Sequence, residues 1–159
     1  MKNKGFTLIE VIVSVLMISM VTVGAMFAIT LSLNSANKIR SSMIAANLAQ
    51  EGLEVVRNIR DKDWHLGNSF GASLPNGDYN VIGSSQSLIP FIDTFLMKDS
   101  DGFYVYTAGS DTIFKRKIII ENSSQNPALV EKVVKVEVSW QEKSGPQMVQ
   151  TEARLFDWR

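Results

Sequence analysis

One long apolar stretch, residues 6–33, restricts the possible folds of this chain more than any other feature. Between positions 5 and 37 the only ionisable side chain is Glu10, and no proline occurs before Pro75. A helix over residues 6–33 is about 40 Å long at about 1.5 Å per residue, and the hydrocarbon core of a bilayer is about 30 Å thick. The sequence therefore predicts a helix that can cross a membrane.

Two lysines, Lys2 and Lys4, stand just before the apolar stretch and have no acidic residue beside them. By the positive-inside rule, basic residues in this position keep their end of the chain in the cytoplasm. We therefore expect a single-pass protein of the cytoplasmic membrane whose C-terminal part lies outside.

A secretory signal peptide shares the basic start and the apolar core, so it is the first alternative to a permanent anchor. A signal core has about 7–15 residues, which is shorter than the stretch found here. No well-placed pair of small residues ends the stretch, although Ala25 and Ala28 come near to such a cleavage site. In addition, Gly5 separates the basic residues from the apolar ones, which favours another kind of processing.

The residues at this junction read Gly-Phe-Thr-Leu-Ile-Glu-Val-Ile-Val over positions 5–13. They closely resemble the start of the type IV pilin family, whose precursors carry a short basic leader that ends in glycine. The resemblance implies that a prepilin peptidase cleaves between Gly5 and Phe6 on the cytoplasmic face and methylates the new amine of Phe6. It also implies other pilin subunits and a membrane assembly platform as partners.

Glu10 needs an explanation of its own, because a carboxylate in hydrocarbon costs about 2.5 to 3.5 kcal/mol. The local explanation is a capping box, since Thr7 and Glu10 have the required spacing and an acid suits the first turn of a helix. The functional explanation is that cleavage creates an amine at Phe6, which Glu10 of a neighbouring subunit neutralises. The second explanation agrees with the pilin resemblance and gives Glu10 a role in assembly.

The composition describes a small protein without unusual charge. The chain has 159 residues with sixteen basic and sixteen acidic side chains, so no nucleic-acid partner is predicted. It has no cysteine and therefore no disulfide, whereas many pilins of Gram-negative bacteria close a C-terminal loop with one. About 95 residues follow the predicted helix, enough for one modest domain.

From residue 34 onward the helical pattern continues but becomes amphipathic. Apolar residues recur at steps of three or four, which predicts a buried stripe as far as residue 63. The stripe consists of Ile39, Met43, Ala46, Ala49, Leu53, Val56 and Ile59. Gly24 and Gly52 each cost up to about 1 kcal/mol relative to alanine in a helix. Gly24 marks either a partial unwinding of the helix in a filament or, more simply, a close contact with a neighbour.

Residues 64–102 are rich in glycine, proline, serine and asparagine, which indicates turns. We expect a variable loop region there, with one short strand at residues 79–82. The apolar residues of segment 91–96 suit a short helix or a strand, and the pattern leaves both open.

Residues 103–159 show the alternation of β-strands. Segments 103–107 and 112–121 predict a hairpin that turns at residues 109–111. Two further strands are expected from segments 131–141 and 147–158. Their residues on one face are Val134, Val136, Val138 and Trp140 in the first, and Val149, Ala153 and Leu155 in the second.

The predicted fold is therefore α+β, with a long N-terminal helix covered by an antiparallel sheet of about four strands. Helix residues 47–61 resemble the corresponding part of the minor pilins called type IV pilus modification proteins. The Val-x-Val-x-Trp strand at 136–140 and the Leu-x-x-Trp pattern at 155–158 are similar to the C-terminal sheet of the same proteins.

Few residues suggest chemistry. His65 is the only histidine, and without cysteine a zinc site would depend almost entirely on carboxylates. The motifs of phosphate loops, dinucleotide sites and serine hydrolases are missing. We predict no catalytic residue, no metal, no cofactor and no enzyme activity.

Two short charged motifs allow a plain and a functional interpretation. Residues 99–102, Asp-Ser-Asp-Gly, are predicted to form a turn, because two aspartates are too few for a calcium loop of the EF-hand type. Residues 115–117, Lys-Arg-Lys, would contact DNA in a competence pilin. Strand alternation sends Arg116 to the face opposite both lysines, which favours a solvated strand instead.

Together these features predict four segments: a leader (1–5), a transmembrane and filament-core helix (6–33), its amphipathic continuation (34–63) and an outer pilin-like domain (64–159) with a loop region (64–102) and a sheet (103–159). The predicted function is a structural subunit, a minor one, of a type IV pilus-like filament at the cell surface. The alternatives are a pseudopilin of a periplasmic type II secretion apparatus, a competence pilin and a membrane-anchored binding domain that never polymerises.

Overall fold

The computed structural model describes residues 5–82, 87–123 and 131–157, and within them the chain forms one helix and eight strands. The helix, α1, is Leu8–His65. The strands are β1 (Gly77–Ile82), β2 (Ser87–Pro90), β3 (Met97–Lys98), β4 (Tyr104–Val105), β5 (Ser110–Asp111), β6 (Phe114–Asn122), β7 (Glu131–Glu142) and β8 (Gly145–Phe156). The α+β class is confirmed.

The chain divides into two compact units, residues 1–41 and 42–159. In the first unit, residues 5–40 are exposed, and those from Leu8 onward are helical. The second unit contains the remaining turns of α1, all the described strands and the whole hydrophobic core. The second unit therefore has the core that holds a folded domain together.

The main sheet has five strands, where about four were expected. Their order is β2-β1-β6-β7-β8, and every neighbouring pair is antiparallel. The additional strands, β1 and β2, come from residues 64–102, the expected loop region, in which a short strand at residues 79–82 was predicted and is found within β1. They form because the second half of β6 offers an open edge of β-branched residues, where Tyr79 lies opposite Ile118 and Gly77 opposite Ile120.

The expected hairpin between residues 103–107 and 112–121 does not form. β4 pairs with β3, and β5, which was expected to be part of the turn, pairs with the other edge of β3. These three short strands make a second sheet, while β6 pairs with β1 and β7. The prediction was wrong because β3, from the segment expected to be a loop, lies between the two supposed arms.

Backbone contacts explain why β3 takes this position. Leu96 donates a hydrogen bond to the Phe114 carbonyl and accepts one from the Thr112 amide. Gly109 packs so closely on the backbone of Lys98 that any side chain at position 109 would collide with it. Segment 91–96, for which helix and strand were both open, is neither.

The core lies between one face of the five-stranded sheet and the second half of α1. The faces of β7 and β8 are as predicted: Val134, Val136, Val138, Trp140 and Leu155 are buried, and Val149 and Ala153 pack against them. At the closest approach, a Cβ on Gly52 would lie 3.0 Å from Val136 Cγ1 and 3.4 Å from Ile118 Cδ1. Gly52 therefore permits the helix to approach the sheet.

The helix stripe is confirmed only in its C-terminal part. Ala49, Leu53, Val56 and Ile59 are buried, as expected, whereas Ile39 and Met43 are 61% and 62% exposed. The burial of α1 begins at Ala45 and ends at Asp63. The hydrophobic period marks one continuous stripe, but the sheet covers only the turns that lie over its strands.

Asp63 joins the end of α1 to the chain that follows. Its carboxylate accepts hydrogen bonds from the Ser73 amide at 2.8 Å, the Ser73 hydroxyl at 2.7 Å and the Asn68 side chain at 3.1 Å. Burial by itself raises the pKa of this carboxyl, but the hydrogen bonds and the nearby Lys62 charge outweigh it, so that the net pKa is lowered. The ionised form of Asp63 therefore stabilises the fold.

We expect Asp63→Asn to destabilise the domain at pH 7 by about 1.5 to 3 kcal/mol, the contribution of hydrogen bonds to a charged group. Because the folded pKa lies below the unfolded value of about 3.9, the wild-type advantage is complete above that value and shrinks as the pH falls through the folded pKa. Urea unfolding in detergent at several pH values measures this. The half-exposed neighbour Asp61, changed to asparagine, is the control; an equal loss there, or a loss at Asp63 independent of pH, contradicts the assignment.

Candidate functional site

Three residues predicted for processing and assembly lie in, or just before, the first turn of α1. Gly5, Phe6 and Glu10 lie within six consecutive residues, and all three are exposed, Phe6 to 82%. Lys2 and Lys4, predicted to orient the leader, lie outside the described residues. The accessible backbone between Gly5 and Phe6 is the site at which the predicted cleavage would act.

Thr7 caps the helix, as its spacing from Glu10 predicts. The Glu10 amide donates to the Thr7 hydroxyl at 3.3 Å and to the Thr7 carbonyl at 3.1 Å, and Val11 donates to the same carbonyl. This is one half of a capping box. Among the described residues the Glu10 carboxylate forms neither the returning hydrogen bond nor an ion pair.

The helix beyond Glu10 presents apolar side chains on every side. Large apolar residues from Leu8 to Leu33 are between 46% and 79% exposed. The most apolar window of α1 has none of its surface buried in the structure, and by length and composition it can cross a membrane. A continuous apolar surface of this kind needs lipid or other apolar helices around it.

Four hydroxyl groups of this segment donate hydrogen bonds inside the helix. Ser14, Ser19, Thr22 and Thr30 each donate to the carbonyl four residues earlier, at 2.7 to 2.9 Å. Hydroxyls bonded in this way add little to the cost of placing a helix in hydrocarbon, where polar groups need internal partners. Glu10 is the one charged side chain in residues 5–33.

Two glycines in this region have no role in the fold of the isolated chain. A Cβ built on Gly5 or Gly24 would meet no atom within 4 Å. In the single subunit the helix runs through Gly24 without a break.

Both lysines of the basic motif at residues 115–117 form ion pairs within the chain. Lys115 pairs with Asp93 at 2.9 Å and Lys117 with Asp78 at 2.7 Å, and each ammonium also lies over a phenylalanine ring. The lysines hold neighbouring segments against the outer face of β6. The interpretation of residues 115–117 as a solvated strand is correct only for the face that carries Lys115 and Lys117.

For Arg116 the interpretation as a solvated residue was wrong, because this side chain is 1% exposed and lies in the core. Its guanidinium donates to the Val81 carbonyl at 2.9 Å and the Leu48 carbonyl at 3.2 Å. It also lies 3.4 Å from the carboxylate of Glu51, a half-exposed residue of α1. One side chain thus links α1, β1 and β6. Alternation with Phe114 and Ile118 was the signal that could have placed it inside.

The other sequence candidates have structural explanations. His65 is the last residue of α1, exposed, with its ring beside that of Trp64. The Asp99 carboxylate accepts the amides of Asp101 and Phe103 at 3.0 and 2.8 Å, so residues 99–102 form the predicted turn. Among the described residues no group of three or more potential metal ligands occurs.

Comparison with known proteins bears on the N-terminus. The family model of the prokaryotic N-terminal methylation motif matches residues 1–26. No curated protein matches the chain, and no solved structure matches it. The motif points to a structural protein rather than an enzyme and implies processing by a prepilin peptidase and assembly with other pilins. Together with the capped first turn and the exposed apolar helix, the matched motif supports a membrane-anchored, type IV pilin-like prepilin with a C-terminal domain.

Proposed function

We propose that this chain is a structural subunit of a type IV pilus-like filament. A prepilin peptidase cleaves it between Gly5 and Phe6 and methylates the new amine, and the apolar segment of α1 then leaves the membrane to pack among the same segments of other subunits. The observation that carries the proposal is the methylation motif followed by an apolar helical surface that no described residue covers.

Glu10 provides the axial contact in this assembly. Its carboxylate is exposed and unpaired among the described residues, and it lies one helical turn from Phe6, where cleavage creates an amine. Within one subunit the helix cap is formed by Thr7 and does not need the Glu10 side chain. A carboxylate and an amine brought together in an apolar surrounding attract strongly, whereas each alone is costly there.

The precursor is held in the cytoplasmic membrane with its N-terminus inside and residues 64–159 outside, as the basic residues Lys2 and Lys4 favour. We assign it as a minor subunit on the resemblance of residues 47–61 and of the C-terminal strands to type IV pilus modification proteins. Repetition of one heterologous contact by rotation and rise makes an open filament, into which a minor subunit can insert.

The intact mass of the protein tests the processing step. Expressed with a prepilin peptidase, the chain should lose the mass of residues 1–5 and gain one methyl group, and without the peptidase it should keep its leader. A chain that begins near Ala28, or one that keeps its leader beside an active peptidase, would overturn the proposal.

A matched pair of substitutions separates recognition by the peptidase from folding. Gly5→Val and Gly24→Ala both add a side chain where the chain has open space. We expect Gly5→Val to accumulate unprocessed and Gly24→Ala to be processed as efficiently as the wild type. Equal processing of both variants would show that the glycine at position 5 is not recognised.

A further inference from the structure

Two basic residues, Lys38 and Arg40, follow the apolar segment of α1. They are the first ionisable side chains after Glu10, and the next acidic residue in the chain is Glu51. Both are exposed on the helix, and neither forms an ion pair or a side-chain hydrogen bond with any residue that the structure describes. Within the described part of the chain, these two positive charges therefore have no counter-charge.

The position of this pair along the helix matches the far surface of a bilayer. About 42 Å of continuous helix separate Glu10 from Lys38, at about 1.5 Å per residue. A bilayer is about 40–45 Å thick when its headgroup regions are included. When Glu10 lies at one surface of the membrane, Lys38 and Arg40 consequently lie among the headgroups of the other.

The geometry of the helix directs both side chains back toward the membrane. Each Cα–Cβ bond of an α-helix tilts toward the N-terminus, and the apolar segment lies on the N-terminal side of Lys38 and Arg40. Two positions along a helix correspond to a rotation of about 200°, so the two side chains leave the helix on opposite sides. Long basic side chains near the end of a membrane helix can then reach headgroups on both sides of it.

This end of the apolar segment has no aromatic anchor. Tryptophan and tyrosine commonly fix membrane helices at the interface, but no aromatic residue occurs between Phe27 and Trp64. The apolar stretch, residues 6–33, is about 40 Å long and the hydrocarbon core about 30 Å thick, so the helix can slide or tilt in the bilayer. The depth of this end therefore depends on Lys38 and Arg40.

The charge of the pair selects the headgroup. Two cations without a neighbouring carboxylate are attracted to anionic phospholipids, and each basic residue near the surface adds to the attraction. A zwitterionic headgroup carries its own positive charge and attracts the pair less. The competing partner is a carboxylate of another protein subunit, and the experiment below distinguishes it from lipid.

We propose that Lys38 and Arg40 bind the phosphate groups of anionic phospholipids and thereby fix the depth of α1 in the membrane. The proposal rests on the membrane-held precursor of the proposed function, but it needs neither cleavage after Gly5 nor assembly through Glu10. Its test uses unprocessed single subunits in lipid vesicles. A negative result there leaves the filament proposal standing, and a failure of processing or assembly leaves this proposal standing.

Fluorescence quenching by spin-labelled lipids tests the proposal. The chain has no cysteine, so Ser35→Cys in the full chain carries a single fluorophore about one turn before Lys38. The protein is placed at low density in vesicles of phosphatidylcholine and phosphatidylglycerol, and either lipid carries the spin label at the same acyl position. We expect phosphatidylglycerol to be enriched about fivefold or more around the fluorophore, and high salt to reduce this enrichment.

Substitutions of the basic residues identify the cause. The double variant Lys38→Gln, Arg40→Gln should be quenched equally by the two lipids. Lys62→Gln, which removes an exposed lysine near the C-terminal end of α1, is the matched control and should keep the enrichment. Circular dichroism checks that both variants are folded.

Two results would overturn the proposal. One is equal quenching of the wild type by the two lipids, which is the outcome if carboxylates of other subunits are the partners of Lys38 and Arg40. The other is an enrichment of phosphatidylglycerol that survives the double change, because the lipid would then be attracted by other residues.

Discussion

Glu10→Val is expected to insert in the membrane normally and to be almost absent from filaments. The substitution removes no hydrogen bond or ion pair of the side chain with the described residues, since the Thr7 cap uses the backbone of residue 10. In the filament it leaves the amine of Phe6 without a counter-charge. An unpaired charge in an apolar medium costs about 2.5 to 3.5 kcal/mol, which corresponds to about a hundredfold loss of incorporation.

The measurement compares the amount of each variant in sheared filaments with the amount in the membrane. Glu137→Val, which removes a carboxylate from the outer face of β7, is the matched control and should be incorporated like the wild type. Glu10→Gln keeps the polarity but loses the charge and should be incorporated poorly as well. Normal incorporation of Glu10→Val would remove the proposed role of the carboxylate.

Arg116→Ala is expected to destabilise the outer domain by about 3 kcal/mol or more, the usual result of breaking a buried charged network. The change leaves the Val81 and Leu48 carbonyls without their guanidinium donor and opens a cavity between α1 and β6. It also removes the ion pair with Glu51. Urea unfolding in detergent, followed by circular dichroism of the sheet, measures the loss.

Two companion variants identify the cause. Lys115→Ala removes the neighbouring charge and its pair with Asp93, whose side chain is 66% exposed, so we expect a loss of about 1 kcal/mol or less. Arg116→Met restores the volume without the hydrogen bonds and should be intermediate. If Arg116→Ala and Lys115→Ala were equally mild, Arg116 would not be the link between helix and sheet.

The helix and the N-terminal motif were predictable because their signals are local. An apolar run with one acid and no proline has few structural solutions, and Thr7 needs only its own turn to cap α1. The inner faces of β7 and β8 were predictable for the same reason, since alternation fixes the face of every residue once one is known.

Strand pairing was not predictable in the same way. β3 lies between β4 and β5 because of contacts between residues far apart in the chain, such as Leu96 with Thr112 and Gly109 with Lys98. The sequence around residues 103–121 is compatible with a simple hairpin. Which strands become neighbours depends on the whole set of competing partners.

The sequence by itself determined that this chain carries a prepilin-type N-terminus on an apolar helix, because cleavage motif, capping and hydropathy are properties of neighbouring residues. Only the tertiary structure decided that Arg116 is buried and that the burial of α1 starts at Ala45. It also decided that β8 is an edge strand of the sheet that the described residues form. These features depend on which surfaces the sheet covers, and that is a property of non-local packing.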